Sequence, residues 1–241
     1  MKSNYLVIPA LIIAVAALIA TTIVAITFKN IKSENQSINT TGSARKVIVS
    51  DLGVLNGSLS STAGSPSEAY QELRRQSPFL INYLKEKGFE ESKIEFKTIS
   101  QYPNYSYNQN GQQMGVMSYT ATQMISITSS DVNKIRETSV DISSLIEKGV
   151  NFVVFTPEYY YTKIGDIKIE IQAEAAKDAM TRGERIAEAT GRKLGALRRA
   201  RMGVIQITPE NSNMVSDQGI NDVSSIRKEI TAVVNADFSI E

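Results

Sequence analysis

The chain contains no cysteine, no histidine and no tryptophan among its 241 residues. Without cysteine it can form no disulfide, carry no acylated lipoprotein cysteine and present no thiolate nucleophile, so cysteine usage indicates no redox compartment. Without histidine it lacks the usual zinc ligand and the usual general base near neutral pH. Ser-His and Cys-His catalysis are therefore excluded, whereas carboxylate pairs, Ser-Lys dyads and metal sites built from oxygen ligands stay open.

The chain also has no large excess of positive or negative charge. The 26 Lys and Arg residues stand against 25 Asp and Glu residues, which gives a formal net charge of +1. A balanced domain exerts no general attraction on nucleic acid or on anionic lipid, so we expect no nucleic-acid partner. The roughly 200 residues that follow the amino-terminal segment are enough for one domain or two packed halves.

Residues 5–28 form an uncharged apolar run, longer than the roughly 20 residues that cross a bilayer as a helix. A cleaved signal peptide is the alternative, but its apolar region is only about 7 to 15 residues long. A buried core helix is disfavoured because the run has no polar face. We therefore predict a membrane anchor at residues 1–29, a juxtamembrane linker or edge strand at residues 30–42, and one domain at residues 43–241.

Strand and helix signals alternate through that domain. Strands are predicted at residues 45–50, 52–59, 93–101, 116–128, 152–155 with 158–161, 201–208 and 229–239, and helices at residues 65–87, 130–148 and 165–191. Residues 101–115, rich in Tyr, Asn and Gln, are predicted as a hairpin loop. This order predicts an α+β fold with a mostly antiparallel sheet and helices on one face, preceded by an N-terminal transmembrane helix.

Five motifs follow one another in an order typical of one known family. They are Thr41-Gly42 in the opening strand pair, the Tyr- and Pro-rich hairpin at residues 100–107, Tyr119 with the two residues after it, Lys148-Gly149-Val150, and the Ala-rich helix and exit turn at residues 176–195. With these motifs the chain resembles the SIMPL-domain family (DUF541), whose bacterial members are periplasmic or membrane-anchored. Gly183 departs from the pattern, which has Ala there, and indicates a bend or close packing.

The resemblance implies an extracytoplasmic location, a tendency to self-associate and a link to envelope or oxidative stress. It supplies no catalytic residues, so we predict no enzyme activity, no cofactor and no metal. The preferred interpretation is a membrane-anchored scaffold or homo-oligomeric assembly module. The alternative is a carboxylate-dependent domain that binds a ligand or metal, or that hydrolyses a substrate.

Four residues are candidates for an interaction surface. Tyr102, Tyr105 and Tyr107 offer large contact area at low entropy cost, although a hairpin tip packed on its own sheet would use them equally well. Val47 lies in the region predicted to pair with a neighbouring chain that emerges from the same membrane.

Two charged clusters have a functional and a structural interpretation. Glu170, Glu174 and Asp178 recur every four residues on the last helix, where they could hold a hard cation or form a solvated face paired with nearby cations. Arg192-Lys193 and the basic residues at 198–201 could bind lipid headgroups or nucleic acid, or complement the dipole at a helix end. We favour the structural interpretation in both cases.

Three further segments receive structural interpretations. Residues 152–155 are apolar enough for a strand buried on both faces. In the strand that follows, Tyr160 should face away from Tyr159 and Tyr161. Residues 217–222 lack the spacing of a calcium loop and are interpreted as a turn.

Two arguments about the orientation of the anchor in the membrane disagree. Four cations follow the apolar run closely, at Lys29, Lys32, Arg45 and Lys46, and charge counting alone favours a cytoplasmic domain. The family resemblance implies the opposite, and we give it precedence.

We expect single cysteines introduced at Ser67 and Ser212 to react with a membrane-impermeant thiol reagent on intact cells, because the domain then faces outward. The native chain has no cysteine, so labelling reports these positions alone. Labelling of both positions only after lysis would show that the domain is cytoplasmic.

Overall fold

In the computed structural model, which describes residues 7–34 and 36–241, α-helices and β-strands alternate along the chain. The α-helices are α1 (Val7–Glu34), α2 (Pro66–Glu86), α3 (Val132–Asp141) and α4 (Ile164–Ala189). The β-strands are β1 (Ser37–Val49), β2 (Leu52–Ala63), β3 (Ile94–Tyr107), β4 (Gln113–Ser129), β5 (Phe152–Val154), β6 (Glu158–Tyr160), β7 (Leu194–Met202), β8 (Gln206–Pro209) and β9 (Arg227–Ile240). Short 3-10 helices, Glu91–Lys93 and Ile142–Lys148, precede β3 and follow α3.

The strands form two sheets. The first has the order β1-β9-β7, with β8 paired to β9, and the second has the order β3-β4-β2-β5, with β6 paired to β2. The pairings of β2 with β4, β5 and β6, of β3 with β4 and of β7 with β9 are antiparallel. The predicted α+β class is therefore confirmed, and β1 lies at an edge of its sheet.

The apolar amino-terminal run forms α1. Its segment Pro9–Thr27 has a mean hydropathy of 2.6 and is long and apolar enough to cross a membrane, and none of it is buried. A core helix would be buried, whereas a membrane anchor and a signal sequence both agree with an exposed apolar helix. The helix continues to Glu34, beyond residue 29, and β1 begins at Ser37.

The chain divides into two compact units. The first contains the described residues up to Arg45 together with residues 168–205 and 231–241, and the second contains residues 46–167 and 206–230. The whole β3-β4-β2-β5 sheet therefore belongs to the second unit, with α2 and α3.

In the second unit, α2 and α3 pack against β2 and β4. Buried side chains alternate along these strands at Leu55, Leu59, Ala121, Ile125 and Ile127, which confirms the period-two pattern predicted for β4. The helices add Leu73, Leu80, Leu84 and Ile135 to the same core.

α2 lies where the sequence predicts a helix, whereas the helix predicted at residues 130–148 is α-helical only to Asp141 and continues as the 3-10 helix Ile142–Lys148. Ser65 and Glu68 form a capping box at the start of α2, each accepting the backbone N–H of the other. Asp131 caps α3 through its carboxylate. Gly88 and Gly149 follow the helical segments with φ values of +80° and +75°, a conformation that glycine adopts without strain.

In the first unit, β1 approaches α4 so closely that their backbones are in contact. A Cβ atom on Gly42 would lie 2.2 Å from the carbonyl oxygen of Ala175 and 2.2 Å from the amide nitrogen of Ala179. Since both obstacles are backbone atoms of a helix, neither can move aside as a side chain would. Only glycine fits at this position.

Hydrogen bonds hold the same crossing together. Thr40 Oγ1 donates to the Ala179 carbonyl oxygen at 2.8 Å, and the Ser43 N–H donates to the Asp178 carboxylate at 2.8 Å. Arg182 Nε donates to the same carboxylate at 2.9 Å. The Ser43 N–H above all, and Arg182 with it, lowers the pKa of Asp178.

A stripe of mostly small residues lines the buried face of α4. Its members recur every four positions and are Ile171, Ala175, Ala179, Gly183 and Ala187. The close packing predicted at Gly183 is confirmed, because a Cβ atom there would lie 3.1 Å from a methyl carbon of Leu194.

Gly57 lies inside β2, where the ring of Phe152 covers it so closely that a Cβ atom would lie 2.1 Å from a ring carbon. Two predictions in the strands need correction. Residues 152–155 are not buried on both faces: β5 is an edge strand, and Val153 is 53% exposed. Residues 201–208 are divided between β7 and β8.

Lys228 and Asp222 form a buried ion pair in the second unit, with side chains 2% and 8% exposed. Lys228 Nζ donates to the carboxylate and to the backbone carbonyl oxygen of Asp222, and the carboxylate also accepts the N–H groups of Ser224 and Ser225. Burial alone would raise the pKa of Asp222, but these hydrogen bonds and the Lys228 charge outweigh burial and lower it. The segment predicted as a turn, residues 217–222, thus ends at Asp222, whose charged carboxylate is buried.

We expect Gly42→Ala to lower the free energy of unfolding by about 3 kcal/mol, because β1 and α4 must separate to admit the methyl group. Urea unfolding of the full chain in detergent, followed by circular dichroism, measures the loss. Gly115→Ala is the matched control, since no heavy atom lies within 4 Å of the added carbon there. Equal stability of the two variants would contradict the close approach.

We expect Asp222→Asn to lower the free energy of unfolding at pH 7 by about 3 kcal/mol, because it leaves the Lys228 ammonium buried without a counter-charge. In the native chain, the lowered pKa of Asp222 stabilises the fold above the ordinary value of 3.8, and this contribution is lost as the pH falls. The difference between variant and native chain should therefore shrink from about pH 5 to about pH 3.

Urea midpoints of the full chain at several pH values test this expectation. Asp217→Asn, which alters an exposed carboxylate of the same loop, serves as the control. A deficit of the Asp222→Asn variant that does not change with pH would contradict the assigned role.

Candidate assembly surface

The three candidate tyrosines lie on a two-stranded extension of the second sheet. β3 and β4 pair along their whole length, ending at Tyr107 opposite Gln113. β2 pairs with β4 only as far as Ala63 opposite Tyr119, so the residues of β4 before Tyr119 pair with β3 alone. We call residues 102–118 the tyrosine ribbon.

The loop predicted at residues 101–115 is wrong, because only residues 108–112 lie outside the two strands. The side-chain oxygen of Asn108 accepts two N–H groups of this short turn, each at 2.9 Å, and Gly111 adopts a φ of +75°. Pro103 is accommodated within β3 because β3 is an edge strand, where a missing N–H breaks no ladder.

The tyrosine ribbon exposes large apolar and aromatic side chains without any charge among them. They are Tyr102, Tyr105, Tyr107, Met114, Val116 and Met117, with exposed fractions from 39% at Tyr105 to 69% at Met114. The sequence has no Asp, Glu, Lys or Arg between Lys97 and Asp131. Exposed apolar surface depleted of charge is typical of protein contact sites.

The two methionines of the ribbon occupy β-bulges. The β4 residues opposite Asn104 and Tyr105 are not consecutive, and the residue that the pairing skips is Met117. A second irregularity near the turn skips Met114 in the same way. Bulges redirect side chains away from the regular ladder, and methionine adapts its shape to a partner.

Side-chain hydrogen bonds fix the base of the ribbon. Asn104 Nδ2 donates to Ser118 Oγ at 2.9 Å and to Thr120 Oγ1 at 2.8 Å, and Thr120 Oγ1 lies 2.9 Å from Thr62 Oγ1 of β2. Gln101 Nε2 donates to the carbonyl oxygen of the first residue of α2, at 2.9 Å. The ribbon therefore presents its side chains from an ordered base.

The free edge of β3 is poorly suited to adding another strand. Pro103 lacks an N–H group, and register shifts interrupt the pairing between Phe96 and Ile99 and twice within the ribbon. Proline and bulges are devices by which edge strands resist backbone pairing. Side chains, and not ladder hydrogen bonds, are thus what the ribbon offers to a partner.

Val47, the fourth candidate, lies on β1 and is 41% exposed. Its neighbour on the same outward face, Val49, is 47% exposed. The structure places Val47 in a different sheet from the tyrosines, so the four candidates do not form one strand surface.

The carboxylate candidates on α4 show no convergence on a metal. Glu170 and Glu174 are exposed, and Asp178 is held by Ser43 and Arg182. In the part of the chain that the structure describes, no group of three or more Asp or Glu side chains lies close enough to hold an ion.

The basic residues predicted to flank a helix end follow α4 in two places. Arg192 and Lys193 lie between α4 and β7, and Arg198, Arg199 and Arg201 lie exposed on β7, which pairs with β9. The predicted alternation is confirmed for Tyr159, which is 5% exposed, and Tyr160, which is 37% exposed, whereas Tyr161 lies beyond the end of β6.

Sequence reasoning identified the tyrosines of the ribbon but missed Met114, Val116 and Met117. The signal that marks all of them is the long stretch without charge between Lys97 and Asp131. A stretch of this kind is buried or available for contact, and the exposed fractions show that these residues are available.

Comparison with known proteins identifies one family. The model of a family described as SIMPL, protein of unknown function (DUF541), matches residues 38–238. No curated protein matches the chain. The matched region begins at the second residue of β1, so it contains both sheets and leaves α1 outside.

Proposed function

We propose that this chain, which belongs to the SIMPL family, is a non-enzymatic assembly module anchored in a membrane by α1, with its α+β domain outside the cytoplasm. In this proposal, copies of the chain associate with one another. The observation that carries the proposal is the tyrosine ribbon, an exposed and uncharged surface rich in Tyr and Met, whose base is held by side-chain hydrogen bonds.

The absence of charge favours a second copy as the partner. Two copies of a surface that carries an excess of one charge repel each other when they meet, at a cost that rises as water is excluded. The tyrosine ribbon carries no charge, so it can face its own copy without this cost. A symmetric contact of this kind uses the same patch on both chains.

A membrane anchor strengthens such an association. Chains held by α1 move in two dimensions, which raises their effective concentration in the same way that a linker does for joined modules. A weak contact between ribbons then suffices for assembly. An extracytoplasmic location is supported by the family resemblance, and a non-enzymatic role by the lack of histidine and cysteine together with the dispersed carboxylates of α4.

We expect the full chain in detergent to be oligomeric at micromolar concentration, and the double variant Met114→Glu, Met117→Glu to dissociate at least 100-fold more readily. The added carboxylates would be desolvated and would face their own copies across the interface. Light scattering coupled to size-exclusion chromatography measures the mass of the protein in each complex.

Met214→Glu is the matched control, because Met214 is 64% exposed and lies outside the ribbon. A strictly monomeric native chain would overturn the proposal. An oligomer that survives the double variant but dissociates on Val47→Asp would place the interface at β1 instead, provided that circular dichroism shows an intact fold.

A further inference from the structure

A cleft of about 370 Å³ opens in the second unit, away from the residues of the tyrosine ribbon. It is lined by Arg136, Ser139, Thr156, Pro157, Tyr159, Ser224 and Ile226. Its volume lies near the lower end of the roughly 300–1,000 Å³ usual for small-molecule sites. Four of its seven lining residues carry a hydroxyl group and one carries a positive charge.

Tyr159 is a buried residue whose hydroxyl group lacks a protein partner. Its side chain is 5% exposed, yet its hydroxyl forms no hydrogen bond with any residue that the structure describes. The chain gives two other tyrosines such a partner: Tyr83 donates to Asp141 and Tyr160 donates to Glu158. The hydroxyl oxygen is not itself enclosed by protein but reaches the open cleft, so water or a ligand there satisfies it.

Arg136 brings a positive charge to the same cleft. It lies on α3, and no carboxylate of the described residues forms an ion pair with it. Burial raises the pKa of Tyr159, with the Arg136 charge opposing it, so the phenol keeps its proton at neutral pH. The cleft therefore offers a guanidinium and a phenolic O–H as donors, both without a protein acceptor.

The serine hydroxyls of the cleft offer hydrogen-bond acceptors, whereas Arg136 and Tyr159 offer donors. Ser139 Oγ donates its proton to the Arg136 carbonyl oxygen at 2.7 Å, and Ser224 Oγ donates to the Asp222 carboxylate at 2.7 Å. With their protons engaged in this way, both serines present oxygen lone pairs that can accept a hydrogen bond from a ligand. The Asp222 charge behind Ser224 is compensated by Lys228, so it opposes an incoming anion little.

We propose that this cleft binds a small organic acid, with its carboxylate held by the Arg136 guanidinium and the Tyr159 hydroxyl. Guanidinium and carboxylate match in charge and in bidentate geometry. The serine oxygens accept a hydroxyl or amino group of the same molecule, and Pro157 and Ile226 contact its carbon atoms. The ligand class is thus a hydroxy- or amino-carboxylate.

Saturation-transfer NMR on the full chain in detergent tests the site, with lactate, serine, benzoate and inorganic phosphate as probes. We expect saturable binding of lactate or serine, stronger than that of benzoate and phosphate. We expect Arg136→Gln to weaken it about tenfold or more, and Tyr159→Phe about three- to tenfold, because each removes a hydrogen bond to a charged group.

Two features make the variants decisive. Tyr159→Phe deletes an oxygen without a protein partner, so the fold should keep its thermal midpoint while binding falls. Arg74→Gln alters an exposed arginine that does not line the cleft and should leave binding unchanged. The proposal is overturned by absence of saturable binding of both lactate and serine up to 10 mM, by equal binding to native and Arg136→Gln chains, or by binding of phosphate alone.

Discussion

The contact between the backbones of β1 and α4 at Gly42 is the constraint on which the first unit depends. A helix and a strand normally pack through side chains, about 10 Å apart, and reach backbone contact only where side chains are missing. Gly42 has no side chain, and the side chains of Ala175 and Ala179 are single methyl groups, so the two backbones can touch. The hydrogen bonds of Thr40 and Ser43 can form only because this approach brings their partners within reach.

Two of the five motifs that carry the family resemblance form this contact. The Thr-Gly motif of β1 and the Ala-rich motif of α4 meet in space, and Asp178 of the second motif accepts the N–H of Ser43 beside the first. This part of the family resemblance is therefore explained by packing. Another of the motifs, the hairpin at residues 100–107, overlaps the tyrosine ribbon.

Two such parts differ in their chemistry. The tyrosine ribbon is uncharged, exposed and apolar, which suits a protein surface, whereas the Arg136–Tyr159 cleft is charged, concave and rich in hydroxyls, which suits a small anion. The buried Asp222–Lys228 pair lies directly behind the cleft at Ser224 and holds that wall in place. Both the surface proposed for association and the cavity proposed for ligand binding thus belong to the second unit.

Local signals in the sequence were sufficient for α1, for the capped starts of α2 and α3, for the glycine stops after them and for the alternating core face of β4. Each depends on residues close together in the chain, so periodicity and capping chemistry reveal it. Partners distant in sequence decided the rest. Residues 101–107 resemble a loop in composition but form a strand because β4 pairs with them. Gly57 lies within β2 because Phe152 covers it. The cleft exists only where α3, β6 and the segment before β9 meet. The strand pairing joins residues 6 to 20 positions apart, and the contact of Gly57 with Phe152 joins residues 95 positions apart. No local pattern of side chains specifies which of these partners a residue will meet.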